Sequence, residues 1–368
     1  MTVVCVNCCI RVLWCVKVRE IVCVESGNAW FTPCFPFFML RLHRSLLIAS
    51  AAHSSAFRVP THATTIGSAL SAAIDAFASS DVPEPELSAA HLLARCAGYG
   101  NDRSKLNLFA DEPIDPRSRA MFEDMCSRRL KDREPVQYIL GDWDFCDLTL
   151  LLRPPVLIPR PETEELVEHV LRAHDGEELD YLDIGCGSGA IGLALLSQRR
   201  AAQCAAIDIN PVAVQLANDN AARCGLAKRY TAELIEGGIV EYAAPSKQNA
   251  SLPEEDHRRF DVIVSNPPYI PAADMATLAP EVVAHEDEAA LVGGDDGLDI
   301  VREVLRAAPH LLKPDGPRTI WLEIDPSHPP LIDEWLQAPQ QAGMQLVMEQ
   351  WLPDASGLPR FVQVVWHP

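Results

Sequence analysis

A glycine-rich turn between a predicted strand and a predicted helix is the first feature of the chain that could do chemistry. Its residues are Asp183-Ile184-Gly185-Cys186-Gly187-Ser188-Gly189. Glycines at such a turn let the backbone approach a ligand that a Cβ atom would exclude, and the following helix begins with free amide donors. An ordinary tight turn can have the same composition, so this segment alone does not establish a ligand site.

Asp208 supplies a second feature, because it stands 19 residues beyond Gly189 at the end of the next predicted strand. A carboxylate there can accept hydrogen bonds from both ribose hydroxyls of a bound nucleoside. NAD is the rival cofactor, but the spacing G-x-G-x-G, with Asp183 on the first strand, differs from the dinucleotide pattern G-x-G-x-x-G. Asp183 either holds the amino-acid end of S-adenosylmethionine, directly or through water, or only caps the turn. The pattern favours S-adenosylmethionine as the cofactor.

The sequence Asn266-Pro267-Pro268-Tyr269 follows the fourth predicted strand, at the carboxyl edge of the sheet and beside the glycine-rich turn. An amide or aniline-like nitrogen is a weak nucleophile because its lone pair is delocalised, so it must be held in line with a methyl donor. The Asn266 side-chain oxygen and the Pro267 carbonyl can accept its two N–H groups, and the prolines stiffen the loop. Tyr269 offers a ring face to the planar substrate. Unless it is a chance proline turn, the motif predicts methyl transfer to such a nitrogen.

Strands and helices alternate from residue 161 to the C-terminus. Predicted strands cover residues 181–184, 205–209, 230–235, 260–265 and 319–324, with a terminal antiparallel pair at 345–350 and 361–366. The alternation predicts an α/β fold with a doubly wound and mostly parallel sheet. Together with the two motifs above, this predicts a Rossmann-like class I methyltransferase fold. The polar segment 241–258 is predicted to be a surface insertion.

The region before this sheet divides into two parts. Residues 64–134 carry apolar side chains at helical spacing and predict a small N-terminal helical domain. Residues 135–160 change to aromatic and aliphatic alternation around Gly141-Asp142, which favours a connecting β-hairpin. The methyltransferase domain then occupies residues 161–368, and Thr163 is expected to cap its first helix.

Residues 1–60 are expected to form a leader. Residues 1–38 are rich in Val, Cys and Phe, but Arg11 and Lys17 interrupt them, so they are too broken to span a bilayer. From Met39 the sequence is rich in Arg, Ser and Ala and has no acid before Asp75, which is the composition of a mitochondrial transit peptide. We therefore predict Met39 as the working start, residues 1–38 as an upstream extension or an error in the gene prediction, and the mitochondrial matrix as the compartment. A secretory signal and a cytoplasmic location are the alternatives.

Charge is distributed unevenly along the chain. Lys and Arg total 31 and Asp and Glu 51, a net charge of −20. Residues 1–74 carry six bases and two acids, a net +4, so the remainder carries −24. A body this acidic repels phosphate backbones, so no direct nucleic-acid partner is expected. A monomer without a membrane partner is predicted. No metal is expected, because Cys5, Cys8 and Cys9 are not followed by a second CxxC or by a His pair at zinc spacing.

Four segments together resemble the release factor glutamine methyltransferases, the HemK/PrmC family, over about residues 64–368. They are the NPPY turn, LDIGCGSGAIGLAL, EPVQYILGDWDF and VLIPRPETEELVE. The last of these separates the chain from the DNA adenine methyltransferases that share the NPPY turn. The stretch LEIDPSHP and the transit-like leader are similar to the mitochondrial members in particular.

The resemblance implies a substrate and a set of contacts. The substrate would be the glutamine side-chain nitrogen in the Gly-Gly-Gln (GGQ) loop of peptide chain release factors, which the helical domain would help to grip. The residues implied in S-adenosylmethionine binding are Gly185, Cys186, Gly187, Ser188, Gly189, Asp208 and Asn266. Residues 266–269 would hold the glutamine. Arg160 and Glu162 would line the mouth of the site, unless they form an ion pair at the start of a helix.

Two departures from the family pattern stand out. Glu236 is the match for an acidic residue that touches the adenine, although Gly237 and Gly238 follow it here. Asp325 and His328 replace a Gly and a Gln of many bacterial members. His285 and Glu286 are expected to be structural. The alternative functions are methylation of a ribosomal-protein glutamine, methylation of a nucleic-acid amine, and a non-catalytic assembly factor that binds S-adenosylmethionine.

Overall fold

The computed structural model describes residues 2–4, 11–13, 56–243 and 259–368. It divides the chain into two units, residues 1–55 and 56–368. In the first unit, strand β1 (Thr2–Val4) pairs antiparallel with β2 (Arg11–Leu13). Most of the predicted transit segment that begins at Met39, and most of the predicted insertion at 241–258, lie outside the described residues.

The second unit begins with short helices that pack around one apolar core. They are α1 (Ile66–Ala78), α2 (Pro85–Cys96), α3 (Ser104–Leu108), α4 (Pro116–Lys131) and α5 (Val136–Leu140). Thr65 and Ser68 form a reciprocal capping box at the start of α1, and the Asp115 side chain caps α4. The fully buried members of this core include Phe77, Leu92, Leu93 and Phe122.

A two-stranded hairpin follows the helical region. Its strands are β3 (Asp142–Phe145) and β4 (Leu148–Leu151). Gly141-Asp142 does not form the turn of this hairpin, because Gly141 ends α5 in the left-handed conformation and the strands reverse at Cys146, which has φ 48°. The Arg95 guanidinium on α2 bonds the Asp142 carboxylate at 2.5 Å, which fixes the hairpin to the helical region.

A seven-stranded sheet forms the centre of the remaining chain, in the order β7-β6-β5-β8-β9-β11-β10. Its strands are β5 (Asp180–Ile184), β6 (Gln203–Asp208), β7 (Tyr230–Leu234), β8 (Val262–Ser265), β9 (Thr319–Glu323), β10 (Leu346–Pro353) and β11 (Pro359–Trp366). The first five are parallel, and β11 is antiparallel to both β9 and β10. The strand order reverses between β5 and β8, where ligands bind in such sheets. The predicted class I methyltransferase fold is confirmed.

Helices cover both faces of this sheet. One face is covered by α6 (Pro161–Ala173), α7 (Ala190–Gln198) and α8 (Pro211–Arg223), and the other by α9 (Gly238–Ala243), α11 (Asp299–Leu311) and α12 (Pro329–Gln337). Alternate side chains of one strand serve the two layers: Tyr181 packs in the first core and Leu182 in the second. Both are fully buried, as a doubly wound sheet requires.

The segment between β8 and α11 contains shorter elements. They are a 3₁₀ helix at Ala272–Thr277, helix α10 (Pro280–His285) and a second 3₁₀ turn at Glu288–Ala290. A third 3₁₀ helix, Pro339–Met344, precedes β10. Across the described part of the chain, every helix is too short or too polar to cross a bilayer.

Candidate active site

A cavity of about 270 Å³ opens at the carboxyl edge of the sheet, at the switch between β5 and β8. The turn after β5, the end of β6 and the turn after β8 converge on it. Of the residues that the sequence singled out, the cavity is lined by Gly185, Gly187, Asp208, Asn266, Pro267 and Pro268. Two motifs that are far apart in sequence therefore form one site.

The glycine turn needs its glycines for two different reasons. Gly185 and Gly187 have φ angles of 68° and 54°, and both line the cavity. Gly189 has φ 83°, and a Cβ atom there would lie 2.9 Å from the Tyr230 hydroxyl oxygen. Gly185 and Gly187 thus leave room for a ligand, whereas Gly189 lets α7 pack closely against β7.

Asp208 is held in place by backbone donors on both carboxylate oxygens. The Gly187 amide donates to Oδ2 at 2.9 Å, and the Asn210 amide donates to Oδ1 at 2.8 Å. Burial raises the pKa of Asp208, while these backbone donors act in the opposite direction. The carboxylate is therefore fixed at the cavity wall, at a place where it can accept the hydroxyls of a ribose. Asn210 caps α8, and Pro211 follows at the first position of that helix.

Asp183 lies behind the glycine turn and not on the cavity surface. Its side chain is fully buried, with 0% exposure, and its Oδ2 accepts the Gly192 amide at 3.0 Å. Burial raises the pKa of Asp183 to about 7. Its other oxygen, Oδ1, has no hydrogen-bond partner among the described residues. The structure shows this residue fixing the start of α7, and its contact with a methyl donor stays a prediction.

The other residues that were predicted to contact S-adenosylmethionine do not line the cavity. Cys186 and Ser188 are buried within the turn, outside the cavity lining. Glu236 is exposed after β7, and the neighbouring Ile235 and Ile239 line the cavity instead. An apolar surface of this kind suits the faces of an adenine ring. The predicted contact between Glu236 and the adenine also stays a prediction.

Asn266 is the start of a buried hydrogen-bonded chain that leads away from the cavity. Its Nδ2 donates to the Thr163 hydroxyl at 3.2 Å, and that hydroxyl donates to Glu323 Oε2 at 2.7 Å. The Tyr269 hydroxyl donates to the other carboxylate oxygen, Oε1, at 3.3 Å. Burial raises the pKa of both Glu323 and Tyr269. Tyr269 is half-buried and lies outside the cavity lining.

Thr163 was expected to cap α6, and that prediction is wrong. The N-cap position belongs to Arg160, and Thr163 lies one turn further on with its hydroxyl directed at Glu323. Thr163 is 3% exposed and Glu323 is 1% exposed. The first turn of α6 and the end of β9 thus support the NPPY turn from behind.

Arg160 and Glu162 do not pair with each other in the structure. The Arg160 guanidinium donates to both oxygens of Glu286, at 2.8 and 2.7 Å, and Glu286 is buried. Burial raises the pKa of Glu286, and the charge of Arg160 acts against that rise. The pair joins the start of α6 to the segment after the NPPY turn. Neither Arg160 nor Glu162 lines the cavity, so their predicted place at its mouth stays a prediction.

Two glycines that the sequence analysis missed hold the NPPY turn. A Cβ atom on Gly293 would lie 2.6 Å from the Pro268 carbonyl oxygen, and one on Gly297 would overlap the Tyr269 carbonyl oxygen. The Gly293 amide also donates to the Ile270 carbonyl at 2.9 Å. The glycine-rich stretch at 293–297 was visible in the sequence as a signal for close backbone approach.

Helix α10 joins the active-site segment to the helical region. Glu281 on α10 is buried and forms ion pairs with Arg129 at 3.2 Å and Arg133 at 2.9 Å. His285 Nε2 lies 2.7 Å from the Asp132 carbonyl oxygen. The segment that follows the NPPY turn is therefore in direct contact with the end of α4.

The residues of the cavity fit S-adenosylmethionine. Gly185 and Gly187 leave open backbone, Asp208 presents a carboxylate for ribose hydroxyls, and the Ile235 side of the cavity is apolar. Among the described residues, no group of three or more His, Cys, Asp or Glu side chains could hold a metal ion. The fold and the site together define a class I methyltransferase that uses S-adenosylmethionine.

Comparisons with known proteins give the family. The model of the PrmC N-terminal domain matches residues 68–141, and that of the methyltransferase small domain matches residues 161–296. The human MTRF1L release factor glutamine methyltransferase is 40% identical over 298 residues, which cover 78% of this chain and 83% of that protein. The release factor glutamine methyltransferase of Geobacter sulfurreducens is 44% identical over 229 residues, which cover 62% and 73% of the two chains. The chain belongs to the family of release factor glutamine methyltransferases.

Proposed function

We propose that this protein methylates the side-chain amide nitrogen of the glutamine in the GGQ motif of a peptide chain release factor. The similarity to enzymes named for that substrate supports the proposal. The observation that carries it is the position of Asn266, which lines the same cavity as Gly185, Gly187 and Asp208. The residue proposed to accept the substrate N–H group and the residues proposed to bind the cofactor therefore line the same cavity.

Asn266 and Pro267 are the proposed ligands of the substrate amide. A carboxamide nitrogen has two N–H groups and a delocalised lone pair, so it reacts only when it is oriented. The Asn266 Oδ1 and the Pro267 carbonyl oxygen would accept these two N–H groups and direct the nitrogen at the methyl carbon. The new N–C bond forms as the C–S bond breaks, and the nitrogen then releases one proton to solvent. Tyr269 and Pro268 complete the turn that holds the glutamine.

The donor site is proposed along the opposite wall of the cavity. Gly185 and Gly187 would lie against the donor, and Asp208 would accept its ribose hydroxyls. Cys186, Ser188, Gly189 and Asp183 support the glycine turn from within the fold, and Glu236 is proposed at the adenine end. Bound S-adenosylmethionine supplies the activated methyl group, and the residues of this chain supply its orientation.

The helical region 64–134 is proposed as a docking surface for the release factor. Its contact through Glu281, Arg129 and Arg133 joins that surface to the segment after the NPPY turn. The region 135–160 would connect it to the methyltransferase domain at 161–368. Arg160 and Glu162, at the start of that domain, would lie near the approach of the glutamine loop.

The mitochondrial matrix is the proposed compartment, and a monomer is the proposed state. The Arg- and Ser-rich segment after Met39 supports the first. The acidic body, at −24 beyond residue 74, argues against nucleic acid as the direct substrate. A release factor with a basic surface around its glutamine loop would complement that charge.

Labelled S-adenosylmethionine and a purified mitochondrial release factor test the function directly. We expect one methyl group per release factor, which fragmentation mass spectrometry places on the glutamine side chain of the GGQ motif. The matched control is the same release factor with that glutamine replaced by glutamate, which should take up no label. Label on RNA, on a ribosomal protein or on another residue would contradict the proposal.

A further inference from the structure

The hydrogen-bonded chain behind Asn266 determines which end of its carboxamide faces the cavity. The oxygen and nitrogen of an asparagine side chain are almost equal in size, so packing alone does not distinguish the two orientations. The difference matters for the reaction that we propose. An oxygen toward the cavity accepts a hydrogen bond from a substrate N–H group. An NH₂ group in that position could not bond the substrate NH₂ group, because both are hydrogen-bond donors.

The direction of each bond follows from the groups in the chain. Each oxygen of Glu323 faces one hydroxyl, that of Thr163 or that of Tyr269. Burial raises the pKa of Glu323, but these two hydroxyls and the charge of Arg360 favour its ionised form, and an ionised carboxylate only accepts hydrogen bonds. The single Thr163 proton is therefore committed to Glu323 Oε2 at 2.7 Å. The Thr163 oxygen can then only accept from its other neighbour, at 3.2 Å, and that neighbour must be the Nδ2 group of Asn266.

Burial makes this chain difficult to rearrange. Thr163 and Glu323 are 3% and 1% exposed, so water does not compete freely for their bonds. Arg360 and Glu162 are the charged groups that act on Glu323 from neighbouring segments, with opposite effects on its pKa. Reversal of the Asn266 amide would bring two acceptor oxygens against each other unless Thr163 gave up its bond to Glu323.

We propose that Thr163 and Glu323 are positioning residues, which hold the Asn266 carboxamide with Oδ1 toward the substrate amide. This inference rests on the proposed function, because it assigns Asn266 Oδ1 as the acceptor in methyl transfer. Neither Thr163 nor Glu323 lines the cavity. They act through Asn266, from helix α6 and strand β9, which are both remote from it in sequence.

Thr163→Val and Thr163→Ser form the matched pair that tests the proposal. Valine keeps the shape of threonine without the hydroxyl, and serine keeps the hydroxyl. We expect kcat to fall about 30- to 100-fold in Thr163→Val and by less than about threefold in Thr163→Ser, as for loss of one preorganised polar partner. The dissociation constant for S-adenosylmethionine should stay within about threefold in both. Equal kcat values for valine and serine, whether both normal or both impaired, would overturn the proposal.

Glu323→Gln provides a second variant, in case valine at residue 163 prevents folding. The glutamine NH₂ group can donate to the Thr163 oxygen, which frees the Thr163 proton to donate to Asn266 and favours the reversed amide. We expect kcat to fall about tenfold or more while the protein binds S-adenosylmethionine normally. Wild-type kcat in Glu323→Gln would overturn the proposal.

A readout without turnover separates this inference from the proposed function. The side-chain amide resonances of Asn266, identified by their loss in Asn266→Asp, should move in Thr163→Val and stay near their wild-type position in Thr163→Ser. Unchanged Asn266 resonances in Thr163→Val would overturn the proposed positioning role of Thr163, even if the enzyme methylates the release factor. Conversely, failure of the wild-type enzyme to methylate a release factor would refute the proposed function and leave this resonance comparison intact.

Discussion

The two walls of the cavity are built in different ways. The donor wall depends mainly on backbone: Gly185 and Gly187 lie at positive φ, and its one polar side chain in this account, Asp208, is fixed by two backbone amides. The substrate wall combines the Pro267 carbonyl with the Asn266 side chain, which depends on Thr163 and Glu323 from two other elements. A backbone site is encoded within one short motif, whereas a side-chain site needs partners that are far apart in sequence.

This difference predicts how the two walls respond to substitution. Apart from Asp208, the donor wall should tolerate changes that preserve its turn, because its contacts come from peptide groups that every residue carries. The substrate wall should be sensitive to single polar atoms, because the Asn266 carboxamide depends on one buried hydroxyl, that of Thr163. The variants below test that contrast.

Asn266→Ala should give the largest effect, because it removes the acceptor oxygen from the substrate wall. We expect a loss of roughly 2–4 kcal/mol in transition-state stabilisation, as for one preorganised polar partner. Single-turnover methyl transfer at saturating donor measures it. The affinity for S-adenosylmethionine should fall much less than the rate. A rate close to that of the wild type would refute the role of Asn266.

Asp183→Asn should change the pH dependence of folding stability. Burial raises the pKa of Asp183 to about 7, so the folded protein holds a proton that the unfolded chain has lost between pH 4 and pH 7. The unfolding free energy of the wild type therefore falls as pH rises through this range. Asparagine keeps the acceptor for the Gly192 amide and does not ionise.

The stability difference between Asp183→Asn and the wild type should accordingly grow in favour of the variant as pH rises from 5 to 8. The integrated change is about 2–3 kcal/mol. Urea unfolding of the donor-free proteins at several pH values measures it. A difference that is constant with pH would show that Asp183 is ionised throughout, as it would be with a charged partner.

Asp208→Asn should weaken the binding of S-adenosylmethionine about 10- to 30-fold. The side-chain NH₂ group of the new asparagine would face the backbone N–H of Gly187 or Asn210, and two hydrogen-bond donors repel each other. Calorimetric titration with S-adenosylmethionine measures this. At saturating donor the rate of methyl transfer should recover to near the wild-type value. A rate defect that persists at saturation would mean that Asp208 acts in the chemical step.

Glu236→Gln should have the smallest effect of the series. Glu236 is exposed and lies outside the cavity lining, so we expect donor affinity to change by less than about threefold. The same calorimetric titration provides the test. A loss of tenfold or more would show that the segment after β7 moves to bring this carboxylate onto the bound donor.

The sequence predicted the donor wall and the sheet well for a physical reason. The glycine turn and Asp208 each follow a strand, and parallel strands bring such positions to one edge. Alternation of strands and helices determined the layers in the same way. The third strand, β7 at Tyr230–Leu234, also formed where it was predicted.

The parts that could not be predicted depend on tertiary contacts. Threonine is a residue type that often caps helices, but the Thr163 hydroxyl bonds Glu323, which is 160 residues away. Likewise, Arg160 pairs with Glu286, 126 residues away, and not with the nearby Glu162. The neighbouring sequence predicts a local role for such a side chain, either as a helix cap or as a member of a nearby ion pair. A buried partner from another element of the fold can override that local role.

The position of the hairpin turn could not be predicted for a related reason. Gly141-Asp142 resembles a two-residue turn, yet Gly141 serves as the left-handed end of α5. The strands reverse at Cys146, a residue that rarely adopts positive φ. A glycine followed by an aspartate occurs both at helix ends and in hairpin turns. The tertiary contact between Asp142 and Arg95 accompanies the first of these two structures here.

A crystal structure of the enzyme with S-adenosylhomocysteine and a Gly-Gly-Gln peptide tests the central claim most directly. The glutamine side-chain nitrogen should lie about 2.7–3.2 Å from both Asn266 Oδ1 and the Pro267 carbonyl oxygen, and point toward the sulfur. The Asn266 Nδ2 group should remain on Thr163. A glutamine bound elsewhere, or an Asn266 amide that presents its nitrogen to the peptide, would contradict this account.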